Sequence, residues 1–510
     1  MAIYKRLDKM DGKRRYELLS PVTLKPIGEL NCCSKEEVES AVDKARKAQR
    51  DWALRSIKER VQFIHNMIDE VLGNQDEIIE TVMRETGKPE AEAMSMEVYA
   101  SVDSLAFYSK RASKFLQPQK IKLHGPMRFL KKAHLIYKPR GVIAVITPWN
   151  GPFILSLNPT IQALLGGNAV IIKPSEVTPF SVKLVETLFL KAGLPRNLVQ
   201  VLLGDGQTGE ELVNSKIDKV SFTGSIKTGK KIAQICGSRL IPYTLELGGN
   251  DAMLVCSDAD IDKAVDGALI GSCMNTGQYC CGTERIYVNQ KIYDEFLKKV
   301  VEKAKTLKQS GQSDADIGAT FWDKQLEIIE DHVNDAIEKG ANLHLGGRRN
   351  SNLKGLFYEP TVLSNVNHEM KIMNEETFGP VVCIQEVTDD DEAIRLANDS
   401  RYGLNGNVWT KDKKKGLRIA SYMETGAASV NDMAISYGIN EVPFGGVKNS
   451  GIGFVNGKEG LRGYCHAMPI IMERFSKGPI SSYPYRKQDI ENMRGFLSLM
   501  KNKYLRKFLG

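Results

Sequence analysis

Residues 141–146, GVIAVI, open a series of short apolar stretches that continues with 169–173, AVIIK, 199–204, VQVLLG, 219–224, KVSFTG, and 251–256, DAMLVC. Each is a short apolar stretch, shorter than a helix needs, which reads as a buried strand. Helical patterns separate them, and that alternation predicts a doubly wound α/β sheet. Upstream, Val38, Ala41, Val42 and Ala45, then Val61, Ile64, Ile68, Val71 and Leu72, recur at helical spacing, so 36–115 is expected to be helical. Downstream, IYVN (286–289), VVCIQEV (381–387) and ASV (428–430) resume the alternation and predict a second α/β domain. The boundary is expected near Gly248–Gly249, and no fixed-period repeat is present.

The 510 residues correspond to roughly three domains at about 150 residues each. With 42% hydrophobic and 26% charged residues, the chain is an ordinary globular one. No apolar run approaches the ~18 residues of a membrane-spanning helix. The opening MAIYKRLDKMDGKRRYELL mixes acids with bases, which speaks against a secretory signal, and Asp8 and Asp11 speak against a mitochondrial presequence. Nine dispersed cysteines fit reduced thiols in a cytoplasmic setting. CxxC and HExxH spacings are absent, so no metal is expected. Of the net charge of +8, residues 486–510 carry +5, leaving a nearly neutral body that does not read as a nucleic-acid binder.

Several short segments could carry chemistry. Phe222-Thr223-Gly224-Ser225 closes a predicted strand with Gly229 one turn on, which suits a phosphate at a helix N-terminus or a plain strand–turn–helix. Lys173 and Glu176 could grip a ribose or form a surface salt pair. Cys280 and Cys281 lie among Asn275, Thr276, Gly277 and Gly282, a setting that lowers a thiol pKa, although two inert vicinal thiols read equally well. Glu246 sits in the apolar segment LELGG as a paired carboxylate or a general base. Asn150 follows a strongly apolar strand and could donate to an oxyanion.

In order along the chain, PWN (148–150), KPSE (173–176), FTGS (222–225), LELGGN (245–250), GQYC (277–280), EETFGP (375–380) and PFGGVKNSG (443–451) resemble the aldehyde dehydrogenase superfamily from about residue 20 to about 475. The resemblance implies that Cys280 is the nucleophile, Glu246 the base that hydrolyses a thioester, and Asn150 the oxyanion donor. It implies that Trp149, Lys173, Glu176, Gly224, Ser225, Gly229, Glu376 and Phe378 hold NAD or NADP, with Glu176 favouring NAD by repelling a 2′-phosphate. By the same resemblance, 1–119 with 140–247 form the cofactor domain and 248–450 the catalytic domain. A small β element, 120–139 with 460–478, would join subunits into a homodimer or a dimer of dimers.

The chain departs from the family at Gly151, at Pro159, and at Phe454-Val455. Leu155, Tyr279 and Phe444 are expected to form a neutral pocket for an aliphatic or aromatic aldehyde, with a semialdehyde as the alternative. A cofactor-independent thiol hydrolase and an inactive structural homologue are the competing readings. Beyond the family's span, Met493, Leu497, Met500, Tyr504 and Phe508 recur on one face of a basic tail, 486–510. It is expected to form a helix of about four turns that docks on protein or lies on an anionic membrane, making the enzyme cytoplasmic or peripheral.

Overall fold

The computed structural model describes residues 3–10, 13–433, 435–475, 483–504 and 506. The helical layer forms where its sequence caps it. Ser34 and Glu37 begin the helix Lys35–Leu54, and Ser56 and Glu59 begin Ile57–Gly73, each pair as a reciprocal capping box. Trp52 donates its indole N–H to the Leu164 carbonyl at 2.8 Å, tying this layer to the centre of the molecule.

Three strands precede it: β1 (Tyr4–Met10), β2 (Lys13–Leu19) and β3 (Pro26–Asn31), an antiparallel sheet absent from the sequence reading. Charged residues mask its alternation, yet Arg14 and Tyr16 of β2 both reach Asp205, at 2.9 and 3.0 Å. The next two strands, β4 (Gln119–Ile121) and β5 (Lys131–Pro139), lie between the helical layer and the first α/β sheet in sequence.

That sheet comprises β6 (Val142–Ile146), β7 (Ala169–Lys173), β8 (Val199–Val201), β9 (Lys219–Thr223) and β10 (Tyr243–Glu246), all parallel. Every residue of β6 and β7 is buried, as continuous Val/Ile runs require when helices cover both faces. The helix Pro152–Leu165, whose 14 residues are all buried, accommodates Pro159 in its interior.

The second sheet holds β11 (Asp251–Val255), β12 (Thr283–Asn289), β13 (Asn342–Leu345), β14 (Thr361–Ser364), β15 (Val381–Val387), β16 (Gly406–Trp409) and β17 (Ser429–Val430). Its order is β13-β14-β15-β12-β11-β16-β17, with β11 and β12 central. The short β18 (Gly451–Ile452) returns to pair with β10, setting Gly451 opposite Glu246. Finally β19 (Cys465–Glu473) pairs along β5, which also pairs with β4.

In the first sheet the order is β18-β10-β9-β6-β7-β8, so connections run one way from β6 and the other way from β9. A crevice opens at the carboxyl ends of strands beside such a reversal. Trp149, Lys173, Gly224 and Glu246 all stand at those ends.

The tail differs from expectation. Its helix is Lys487–Leu499, exposed at every residue, and it stops before the 493–508 pattern is complete. Asn502 breaks it by accepting from the Tyr504 N–H at 2.9 Å and so starting a new turn. Phe508 lies outside the described residues, as do Leu505 and 476–482. Among the described residues, no helix is long and apolar enough to cross a membrane.

Candidate active site

The crevice has two halves. One, of about 260 Å³, is lined by Asn150, Leu155, Glu246, Cys280, Trp322, Glu376 and Phe378, among others. The other, of about 690 Å³, is lined by Lys173, Glu176, Thr228 and Lys231, among others. Pro148, Trp149, Thr223, Gly224, Ser225 and Trp322 belong to both halves.

Cys280 follows a loop whose shape is imposed by buried polar contacts. Asn275 and Thr276 both adopt φ 57°, a left-handed conformation that costs non-glycine residues energy. Glu92 accepts from the Asn275 N–H at 2.8 Å, and the Asn275 amide donates to the carbonyls of Asn150 and Gln278 at 3.0 and 2.8 Å. At Gly277 a Cβ would stand 2.0 Å from the Gly379 carbonyl oxygen, so this loop packs directly on the one carrying Phe378. Cys280 is half-buried, whereas Cys281 is buried behind it.

The glycine-rich setting was expected to lower the thiol pKa, and the structure reverses that. The Cys280 thiol is pushed well above its ordinary range by its hydrogen bond with Cys281, then by burial. Without a cation beside it, a thiol in a closed loop loses more in desolvation than the local backbone returns.

Glu246 ends β10 with 5% of its surface exposed, and neither carboxylate oxygen has a hydrogen-bond partner. Burial, and then Cys280, raise its pKa well above the ordinary value. A neutral carboxyl with free oxygens beside a thiol has the properties of a general base that ionises to act. Asn150 lies four residues beyond the end of β6, just before the helix Pro152–Leu165, and its amide donates to the Gln278 carbonyl at 3.0 Å.

The larger half is built from ordinary elements. A Cβ at Gly224 would stand 2.7 Å from the Phe222 ring, so the backbone can bend closely there only as glycine. Ser225 caps the helix Ile226–Ser238 by accepting from the Thr228 N–H, leaving an N-terminus that favours an anion. Lys173 and Glu176 face each other at 3.4 Å. Glu376 accepts from the Gly249 N–H at 3.0 Å, and its pKa rises to about 8 through burial and then Glu284. Glu284 accepts from the N–H groups of Thr377 and Phe378, holding Phe378 at φ 52° with its ring 5.4 Å from Trp149. A helix N-terminus, a ribose-sized donor–acceptor pair and a second carboxylate beyond them together suit a dinucleotide.

Three expected residues are not part of the crevice lining. Gly229 does not line the crevice; a Cβ there would meet Leu247 at 2.6 Å, so it serves packing of the helix on that loop. Tyr279 and Phe444 belong instead to a cluster with Cys280, Cys281, Leu404 and Val455, so they pack against the nucleophile's own loop, and Phe444 is buried there against Tyr437. Phe444 also exchanges backbone hydrogen bonds with Val455 at 2.8 Å. Conversely Trp322, which lines both halves, went unread because nothing around it in sequence resembles a motif. Gln278, whose Oε1 accepts from the Phe321 N–H at 2.9 Å, was visible in GQYC but had no assigned part.

The model of the aldehyde dehydrogenase family matches residues 8–470. The 4,4'-diapolycopene aldehyde oxidase of Methylomonas sp is 38% identical over 485 residues, covering 94% of this chain and 90% of that protein. A putative succinate-semialdehyde dehydrogenase [NADP(+)] of Mycolicibacterium smegmatis is 36% identical over 471 residues, covering 92% and 90%. Among solved structures, the Mycobacterium tuberculosis aldehyde dehydrogenase complexed with NAD+ superposes with a TM-score of 0.86 at 31% identity, covering 92% of this chain and 95% of that one.

Proposed function

The chain belongs to the aldehyde dehydrogenase family of NAD- or NADP-dependent oxidoreductases, and on that premise we propose that Cys280, Glu246 and Asn150 oxidise a neutral, lipophilic aldehyde to its carboxylic acid. The carrying observation is that these three groups line one half of the crevice, with both Glu246 oxygens unpartnered. The Cys280 thiolate adds to the aldehyde carbon, forming a C–S bond and an oxyanion. The Asn150 amide and the Cys280 N–H hold that charge. Trp149 and Phe378 would hold the nicotinamide of NAD or NADP, which would supply the hydride acceptor; collapse of the oxyanion would then leave a thioester on Cys280. Glu246 then removes a proton from water, whose oxygen displaces the sulfur and releases the acid.

For the cofactor, Lys173, Glu176 and Ser225 bind the adenosine end and Glu376 the nicotinamide ribose. Glu176 favours NAD, as a carboxylate there accepts from a 2′-hydroxyl and repels a 2′-phosphate.

One observation supports the substrate class, and the names of the relatives divide between it and the semialdehyde alternative. Among the described residues lining the Cys280 half, none is a lysine or arginine, so a substrate carboxylate would go unpaired. The relative from Methylomonas is named for a polyene aldehyde, whereas the mycobacterial relatives are named for a semialdehyde. A chain-length series of aldehydes, followed by NADH absorbance with NAD and with NADP, tests the reading. Efficiency is expected to climb with chain length; a semialdehyde that outperforms every neutral aldehyde would overturn it.

The sheet β4-β5-β19 joins two subunits, and the tail meets an anionic membrane. Ile490, Met493 and Leu497 of the tail helix are exposed, and each nearby basic residue would add about 1 kcal/mol at such a surface. Cosedimentation with anionic and neutral vesicles, full-length against a truncation after Ser482, tests this. Salt-sensitive binding that needs the tail is expected, and its absence leaves docking on protein.

A further inference from the structure

We propose that the buried Lys88–Glu97 ion pair is the positioning device of Asn150, fixing where its amide meets the oxyanion; this rests on the reading of Asn150 as the oxyanion donor. Both side chains are wholly excluded from solvent, and their charges meet at 2.7 Å. Burying two ions is costly, and apolar residues of similar volume commonly replace such a pair without loss of stability. A pair so placed therefore calls for a role besides packing.

The contacts identify that role. Lys88 donates to the Asn150 carbonyl at 3.1 Å. The other Glu97 oxygen accepts from the N–H groups of Phe153 and Ile154 at 3.1 and 3.0 Å, in the first turn of the helix Pro152–Leu165. The pair thus grips the backbone on both sides of Gly151, a residue with no side chain to restrain it. The Asn150 carbonyl also accepts from Asn275, so the same clamp ties the amide to the cysteine loop.

Glu97 reaches this position from a π-helical segment, Ala93–Tyr99. Wide turns of that kind are rare and gather at functional sites, because one extra residue re-aims a side chain that an α-helix would place elsewhere. Neither residue touches the space where an aldehyde would react, so both are positioning residues.

The test separates oxyanion chemistry from loop integrity. Alkylation of Cys280 by iodoacetamide needs the thiolate but no oxyanion hole, whereas hydride transfer needs both. The double variant Lys88→Met with Glu97→Gln removes both charges and keeps an acceptor for Phe153 and Ile154. It is expected to slow single-turnover NADH formation by roughly ten- to a hundredfold, below the ~100–1000-fold of losing a whole donor. Alkylation should stay within about twofold, and adding Asn150→Ala should cost less than the product of the separate effects.

Equal slowing of alkylation and NADH formation would reduce the pair to a structural role and overturn the proposal. If the double variant does not fold, Lys88→Arg keeps the charge and changes the reach. A loss of NADH formation with alkylation intact is expected there, and equal losses again overturn. Should Asn150→Ala alone leave NADH formation unchanged, the oxyanion reading fails and the proposal with it. If Asn150→Ala slows it while the Lys88 and Glu97 variants do not, the proposal alone fails.

Discussion

The two halves of the crevice are built on opposite principles. Around Cys280 the protein keeps groups that folding alone would eliminate: Glu246 without partners, Asp251 raised well above its ordinary range, and two left-handed residues in succession. Around Lys173 and Ser225 the wall is made of a capped helix, a paired lysine and a glycine turn, and the unpartnered indole N–H of Trp322 is shared with the first half. Strain and unmet hydrogen bonds collect where bonds change, and ordinary elements suffice where a ligand is only held. Substitutions in the first half should therefore cost rate, and those in the second affinity or selectivity.

The largest effect should come from Cys280→Ala. Loss of the covalent nucleophile is expected to lower both aldehyde oxidation and ester hydrolysis by on the order of a thousandfold or more. Cys281→Ala should retain most of both activities, because Cys281 is buried behind the nucleophile. It should also ease thiolate formation, since the hydrogen bond that the Cys280 thiol makes to Cys281 is the largest influence raising its pKa. Parallel assays of the two variants decide this, and equal losses would place the nucleophile wrongly.

Next comes Glu246→Gln, expected to slow steady-state turnover by roughly a hundredfold while one NADH per site still appears as a burst. The raised pKa sets the sign of the pH dependence. Glu246 holds its proton at low pH and ionises as pH rises, so thioester hydrolysis should climb toward alkaline pH in the parent and flatten in the variant. A related consequence concerns stability. Glu85, Glu92 and Glu284 are raised from 4.5 to about 7 and Glu376 to about 8, chiefly by burial. The folded state binds these protons more tightly than the unfolded chain, so their contribution is full below about 4.5 and lost through 7–8. Thermal unfolding at pH 6 should therefore occur at higher temperature than at pH 9.

Much of this contrast could be read from sequence on one side and little on the other. The strands of the first sheet were visible because burial on both faces leaves unbroken Val/Ile runs, and Gly224, Ser225, Lys173 and Glu176 lie where those strands end. The supports of the cysteine loop were hidden. Glu92 is 183 residues from Asn275, and Lys88 is 62 from Asn150, so no local pattern joins them. Phe444 shows another limit: PFGG is a recognisable segment, but that its ring is buried in the cluster packed against Cys280 is a tertiary fact. The hydrogen bond with Cys281, and then burial, also reversed the thiol, an effect that composition of the loop alone does not contain.

A smaller effect tests the second half. Glu176→Ala removes the carboxylate facing a 2′-substituent, and is expected to shift the ratio of NAD to NADP efficiency by roughly tenfold toward NADP, about 1.4 kcal/mol. The rate of the chemical step at saturating cofactor should barely change. A parent enzyme that already prefers NADP would contradict the assignment of Glu176, and a large fall in that rate would blur the division between the halves.

The smallest effect discriminates between two glycines that share one motif. Gly224 lies on the crevice wall, whereas Gly229 faces Leu247 within the body. An alanine in place of Gly229 gains roughly 1 kcal/mol from helix propensity. Against that, its methyl would meet the Leu247 side chain at 2.6 Å, and overpacking of this kind costs about 1–3 kcal/mol. Because the contact is with the tip of a leucine that can turn aside, the lower end of that range applies. The net loss of stability should be near 1 kcal/mol or less. Cofactor affinity should stay within about threefold of the parent in Gly229→Ala and fall further in Gly224→Ala, whose methyl would press on the Phe222 ring beneath the turn. Titration of NAD against intrinsic fluorescence of both variants makes the comparison. Equal weakening by the two substitutions would return Gly229 to the cofactor-binding set and show that the second half depends on packing as much as on the groups that line it.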